Sequence, residues 1–102
     1  MEAQKVSLMF KALSDETRVK IITELMDGEK CACDLMKNLH LTQPTLAHHV
    51  QILCASELVV SRRIGRWTHF ALSMQGMAEA QKITMQLFKS SQRDPFISAD
   101  CC

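Results

Sequence analysis

The stretch Leu41-Thr42-Gln43-Pro44-Thr45-Leu46-Ala47-His48-His49-Val50-Gln51-Ile52-Leu53 decides how this chain is read. Thr42 is placed to cap a helix, and Pro44 falls in its first turn, where a missing N–H costs nothing. Leu46, Val50, Leu53 and Cys54 recur at helical spacing and make one apolar face over about 43–56. Thr45, His48, His49 and Ile52 fall on the opposite side. That side lacks the Lys/Glu pairs that a helix facing only water usually carries. Upstream, Leu35, Met36 and Leu39 give a short helix ending near His40. A short helix, a tight turn and a second helix with small polar groups outward form a helix-turn-helix.

The flanks extend this unit. Leu58-Val59-Val60-Ser61-Arg62-Arg63 is β-branched before it turns basic, and Trp67-Thr68-His69-Phe70-Ala71-Leu72 alternates around two aromatics. Ile64-Gly65-Arg66 lies between them, so the pair reads as a hairpin with arginines at its tip, a wing. Before the unit, Val6, Met9, Phe10 and Leu13 predict a helix over about 3–13. Ser14 is the expected cap of the next helix, whose apolar positions are Val19, Ile22, Leu25 and Met26, with Gly28 as the stop. After the hairpin, Met74 to about Ser91 predicts a long helix whose apolar positions cover more than one stripe, as a helix does when it packs on its own domain and on a second subunit. The expected fold is mainly α with a small β-hairpin: a winged helix-turn-helix in the order α-α-α-α-β-β-α, dimerising through the first and last helices. Residues 1–92 form this DNA-binding and dimerisation domain, and 93–102 form a C-terminal tail.

The chain has 102 residues, 47% of them hydrophobic and 23% charged, with three glycines and two prolines. That suits one globular domain and excludes a disordered or fibrous chain. No apolar run approaches the ~20 residues of a membrane helix, and Met1-Glu2-Ala3-Gln4-Lys5 lacks a signal-peptide core, so a cytoplasmic protein is expected. The net charge is only +1, but residues 35–70 hold +3 and all four histidines, while the remainder holds −2. A local basic stripe of this kind suits phosphate. Thr42, Gln43, Thr45, His48 and His49 can reach base edges or phosphates of double-stranded DNA in the major groove. Arg62, Arg63 and Arg66 can reach the backbone or the adjacent minor groove. No Gly-rich phosphate loop and no nucleophile–base pattern supports an enzyme.

Five cysteines complete the inventory: Cys31-x-Cys33, Cys54, and the adjacent Cys101-Cys102. An odd count without a signal peptide argues for reduced thiols that bind a soft metal or sense oxidation. Cys54 lies on the apolar face and reads as a small hydrophobe. Cys31 and Cys33, at the start of a helix beside Lys30, are expected to have depressed pKa values. On that helix i and i+2 point ~200° apart, so binding one ion must distort or unwind the first turn, which would misplace the recognition helix and offers a route to derepression.

Phe10-Lys11-Ala12-Leu13-Ser14-Asp15-Glu16-Thr17-Arg18, Cys31-Ala32-Cys33-Asp34-Leu35, the stretch quoted first, and Gly65-Arg66-Trp67-Thr68-His69-Phe70 together resemble the ArsR/SmtB family of metal-sensing repressors, over about residues 6–90. The resemblance implies a homodimeric winged helix-turn-helix repressor that leaves the operator of a resistance operon when a toxic metal or metalloid binds. The Cys31–Cys33 block resembles the inducer site of the arsenic-responsive branch, which implies As(III) or Sb(III) as inducer. Thiolates select such soft ions. The sequence departs from the family's CxCxxC at Met36, a poor ligand for arsenite. The third sulfur could come from Cys101, Cys102 or an exogenous thiol such as glutathione, or a hydroxide could be retained. Two other readings of the thiols stay open: a thiol-redox or Cd/Pb/Hg-sensing repressor of the same fold, and a small thiol metal carrier.

Overall fold

The computed structural model describes residues 2–89. Helices α1 (Ala3–Ala12) and α2 (Glu16–Leu25) lead to a two-residue strand β1 (Lys30–Cys31). Helices α3 (Ala32–Leu39) and α4 (Gln43–Ala55) follow, then strands β2 (Val59–Ile64) and β3 (Trp67–Leu72), and helix α5 (Met74–Leu87). The expected winged helix-turn-helix is present with one addition. β1 pairs antiparallel with β3, so the hairpin becomes a three-stranded sheet in the order β1-β3-β2.

Local chemistry accounts for the boundaries. Thr42 caps α4, its Oγ1 accepting from the Thr45 N–H, with Pro44 in the first turn. His40 ends α3 in the left-handed region at φ 55°, and the Leu41 N–H returns to the Met36 carbonyl at 2.9 Å. This closes the turn between the two helices within three residues. Asp15, not Ser14, caps α2: the Asp15 carboxylate accepts the Arg18 N–H at 3.1 Å. Ser14 turns back instead, and its hydroxyl donates to the Lys11 carbonyl at 2.7 Å. Gly65, at φ +63°, takes the first position of the two-residue wing turn, which favours a residue without Cβ.

The apolar face of α4 (Leu46, Val50, Leu53) meets Ile21 and Leu25 of α2, Leu35 of α3, Phe70 of β3 and Ile83 of α5 in one core. Cys54 is only half-buried at its edge. The first turn of α5 crosses the end of α4 so closely that a Cβ on Gly76 would fall on the Glu57 carbonyl oxygen. Gly76→Ala should therefore destabilise the fold by about 1–3 kcal/mol, the usual cost of overpacking, and a thermal melt reads it. Among the described residues, no helix is long and apolar enough to cross a membrane. The last helix stops at Leu87, with Phe88 as its C-cap, short of the expected end near Ser91, and the 93–102 tail lies outside the described residues.

Candidate nucleic-acid interface and thiol site

Helix α4 presents two flanks around its outer face. Thr42, Gln43, Thr45 and His48 are exposed, and the Thr42 hydroxyl donates to Thr45 Oγ1 at 2.9 Å. Gln51, which the sequence reading passed over, is exposed as well. With Gln43 and Ala47 it lines an open groove of about 410 Å³, completed on the wing side by Ser61 and Thr68. The spacing 43, 47, 51 could have revealed this row. The row lies beside, not on, the side directly opposite the apolar stripe, where polar residues are the plainer signal.

His49 does not share that outer face. Its side chain is 12% exposed and turned onto α2. Arg18 Nη1 donates to His49 Nδ1 at 3.1 Å. Because arginine can only donate, Nδ1 is an acceptor here and the imidazole is neutral. Burial, ahead of the Arg18 and His48 charges, lowers the His49 pKa, and nearby Asp15, 4.0 Å away, opposes the shift. Arg18 is itself 8% exposed. Its Nε donates to the Ala12 carbonyl at 2.7 Å and Nη2 to the Lys11 carbonyl at 3.3 Å, so it closes the C-terminus of α1 while holding α4. His49 thus joins α4 to the body of the domain, a correction to the expectation that it faces the groove.

On the wing, Arg63 and Arg66 are exposed near the tip. Arg62 is exposed too, but its guanidinium forms a two-point ion pair with Glu29: Nε to Oε1 at 2.8 Å and Nη2 to Oε2 at 3.0 Å. That pair holds the Glu29 carboxyl below the usual carboxylate range.

The thiols of Cys31 and Cys33 converge. Cys31 belongs to β1 and is also the N-cap of α3, with extended backbone (φ −69°, ψ 147°), whereas Cys33 sits inside the first turn. The Cys33 N–H donates to the Cys31 sulfur at 3.4 Å, and the two sulfurs are in contact. The expectation that both cysteines ride one helix and diverge is overturned: a strand residue beside a helix residue does not obey the ~100° step. The two sulfurs meet with the first turn of α3 intact. The expected depression of both pKa values also fails at Cys33, whose thiol is pushed above its ordinary range by the hydrogen bond with Cys31, then by burial and the Asp34 charge. Among the described residues, no group of three His, Cys, Asp or Glu side chains is placed to hold a metal ion. Cys101 and Cys102 lie outside the described residues.

A winged helix-turn-helix with a polar outer helix and arginines on its wing has the architecture of a DNA-binding domain. Residues 15–61 match the family model described as "Bacterial regulatory protein, arsR family". An arsenical resistance operon repressor of Escherichia coli (strain K12) is 39% identical over 85 residues, 82% of this chain and 73% of the relative. A repressor of the same description from Staphylococcus aureus is 43% identical over 65 residues, 64% of this chain and 62% of the relative. The homodimeric winged helix-turn-helix DNA-binding domain from Mycobacterium bovis, solved in solution, superposes with a TM-score of 0.70 at 21% identity, covering 82% of this chain and 78% of that one. The chain belongs to the arsR family of bacterial regulatory proteins, a family of transcription regulators and not of enzymes.

Proposed function

We propose that this protein is a homodimeric repressor of an arsenic-resistance operon, released from its operator when As(III) or Sb(III) binds Cys31 and Cys33. The observation that carries the reading is the convergence of the two sulfurs at the entry to the helix-turn-helix. The names of the E. coli and S. aureus relatives point the same way. Neutral arsenous acid condenses with two thiols, As(OH)3 + 2 RSH giving (RS)2AsOH and two waters. Each thiol proton leaves with a hydroxide, so protonated thiols are competent partners. The third position keeps its hydroxide or takes a further thiol, with Cys101, Cys102 and glutathione the candidates.

On the DNA side, Thr42, Gln43, Thr45 and His48 face the major groove, joined by Gln51, while Arg63 and Arg66 meet phosphates. A dimer that places two such helices in successive grooves reads half-sites ~34 Å apart. Pairing through α1 and α5 is supported by the apolar surface these elements leave exposed: Leu8, Phe10, Met85 at 75% and Phe88 at 69%, with Phe10 and Phe88 already stacked edge-to-face at 6.3 Å.

The test uses reduced Cys31→Ser and Cys33→Ser proteins beside wild type, on a duplex from upstream of the gene. Both variants should bind DNA as wild type does, lose the near-ultraviolet arsenic–sulfur absorbance, and stay bound in arsenite. Release of either variant by arsenite would refute the assignment.

A further inference from the structure

The thiol site and the wing share one rung of the sheet. Cys31 pairs with His69 across β1 and β3, and His69 pairs with Arg62 across β3 and β2. Antiparallel partners project to the same face, so Cys31, His69 and Arg62 lie in one row. Glu29, two residues before Cys31, projects to that face and closes the row. Its carboxylate takes Arg62 at 2.8 and 3.0 Å and stands 3.7 Å from His69 Nδ1. The chain that carries the first thiol is therefore strapped to the wing by paired backbone and by a two-point ion pair across 33 residues of sequence.

From this row we infer that Glu29 is a positioning residue which couples the state of the thiol pair to the wing by holding or releasing Arg62. The inference rests on the reading of Cys31 and Cys33 as the inducer site. The two sulfurs already converge, so an ion bridging them locks Cys31 to the first turn of α3 and, through β1, fixes the Glu29 carboxylate where it meets Arg62. Locked there, the carboxylate holds Arg62 more firmly than it does beside free thiols. A guanidinium pinned by two hydrogen bonds to a carboxylate is not free to neutralise a phosphate, so the ion pair and the DNA backbone compete for the same cation. The pair is exposed, which keeps it weak enough to be exchanged.

The experiment measures two quantities on wild type, Glu29→Gln and the charge-swapped double variant E29R/R62E. One is arsenite binding, read from arsenic–sulfur absorbance without DNA. The other is operator affinity against salt, with and without arsenite. Glu29→Gln should bind arsenite as wild type does. Without arsenite, its salt slope should match wild type, where DNA already draws Arg62 from the exposed pair. With arsenite, its slope should exceed that of wild type by about one unit, because no carboxylate holds Arg62 back from a phosphate. The ratio of affinities without and with arsenite should shrink about tenfold, and E29R/R62E, which pairs residues 29 and 62 but leaves no cation on the wing at that position, should not restore it. A wild-type ratio and a wild-type slope in arsenite for Glu29→Gln, with its arsenite absorbance intact, would overturn the proposal alone. No absorbance in wild type would overturn the inducer-site reading and the proposal with it.

Discussion

Two polar joints fix the DNA-reading elements to this domain, and they are built differently. The recognition helix is held by Arg18 and His49, both largely enclosed, through hydrogen bonds of 2.7–3.3 Å that also close the end of α1. The wing is held by Glu29 and Arg62, an ion pair lying in solvent. A buried guanidinium left without partners, or partners left without it, costs the desolvation of each orphaned group. An exposed ion pair exchanges readily for water, salt or phosphate. The first joint suits a part that must stay in place, and the second suits a part whose hold is meant to change.

The largest expected effect breaks the first joint. Arg18→Ala leaves the Ala12 and Lys11 carbonyls and His49 Nδ1 without their donor. It should cost about 3 kcal/mol, lowering the melting temperature by more than ~10 °C in a domain of this size. The corresponding break of the wing joint, Glu29→Gln, should leave the melting temperature at the wild-type value while altering salt dependence in arsenite. Equal thermal losses in the two variants would erase the distinction.

Acid should separate the joints next. The folded-state pKa of His49 is lowered, so the unfolded chain binds its proton first. The stability this residue contributes is complete above the unfolded histidine pKa of ~6.5 and declines as pH falls below it. Glu29 is also lowered, but from the carboxylate range, so its contribution persists until pH falls below ~4.3. Melts between pH 7.5 and 5 should show a decline that His49→Asn, which keeps an acceptor but no titration, removes. A decline unchanged in His49→Asn would assign the titration elsewhere.

Smaller still is the effect of single wing cations. Arg63→Ala and Arg66→Ala should each flatten the salt dependence of DNA affinity by about one unit of slope. Arg62→Ala should do the same without arsenite and flatten it less with arsenite, when Glu29 holds the guanidinium. Equal slopes for all three in arsenite would break the link between the thiols and the wing.

The same contrast explains what was legible in the sequence. Periodicity and capping residues disclosed four helices, the hairpin and the long last helix, because each signal is local: Thr42 and Pro44 announce α4, and Gly65 announces the wing turn. β1 escaped, since two residues carry no period and its pairing partner lies some forty positions away. The joints escaped for the same reason. Arg18 on α2 reads as a solvated charge until α1 and α4 enclose it, and Glu29 meets Arg62 only once β1 is in the sheet. Among His48 and His49, neighbours ~100° apart, only packing decides which one faces out. The cysteine pair was visible as a thiol site, but its geometry depended on Cys31 belonging to a strand.

The most direct test of the account is the anisotropy of a labelled operator duplex held by reduced wild-type protein and titrated with arsenite at pH 6.5 and pH 8. Condensation of arsenous acid with two thiols releases no net proton, whereas a divalent cation displaces two. The account predicts loss of anisotropy at low micromolar arsenite with the same midpoint at both pH values, and a cadmium midpoint that falls steeply as pH rises. Protein that stays on its operator through the arsenite titration, at either pH, would contradict it.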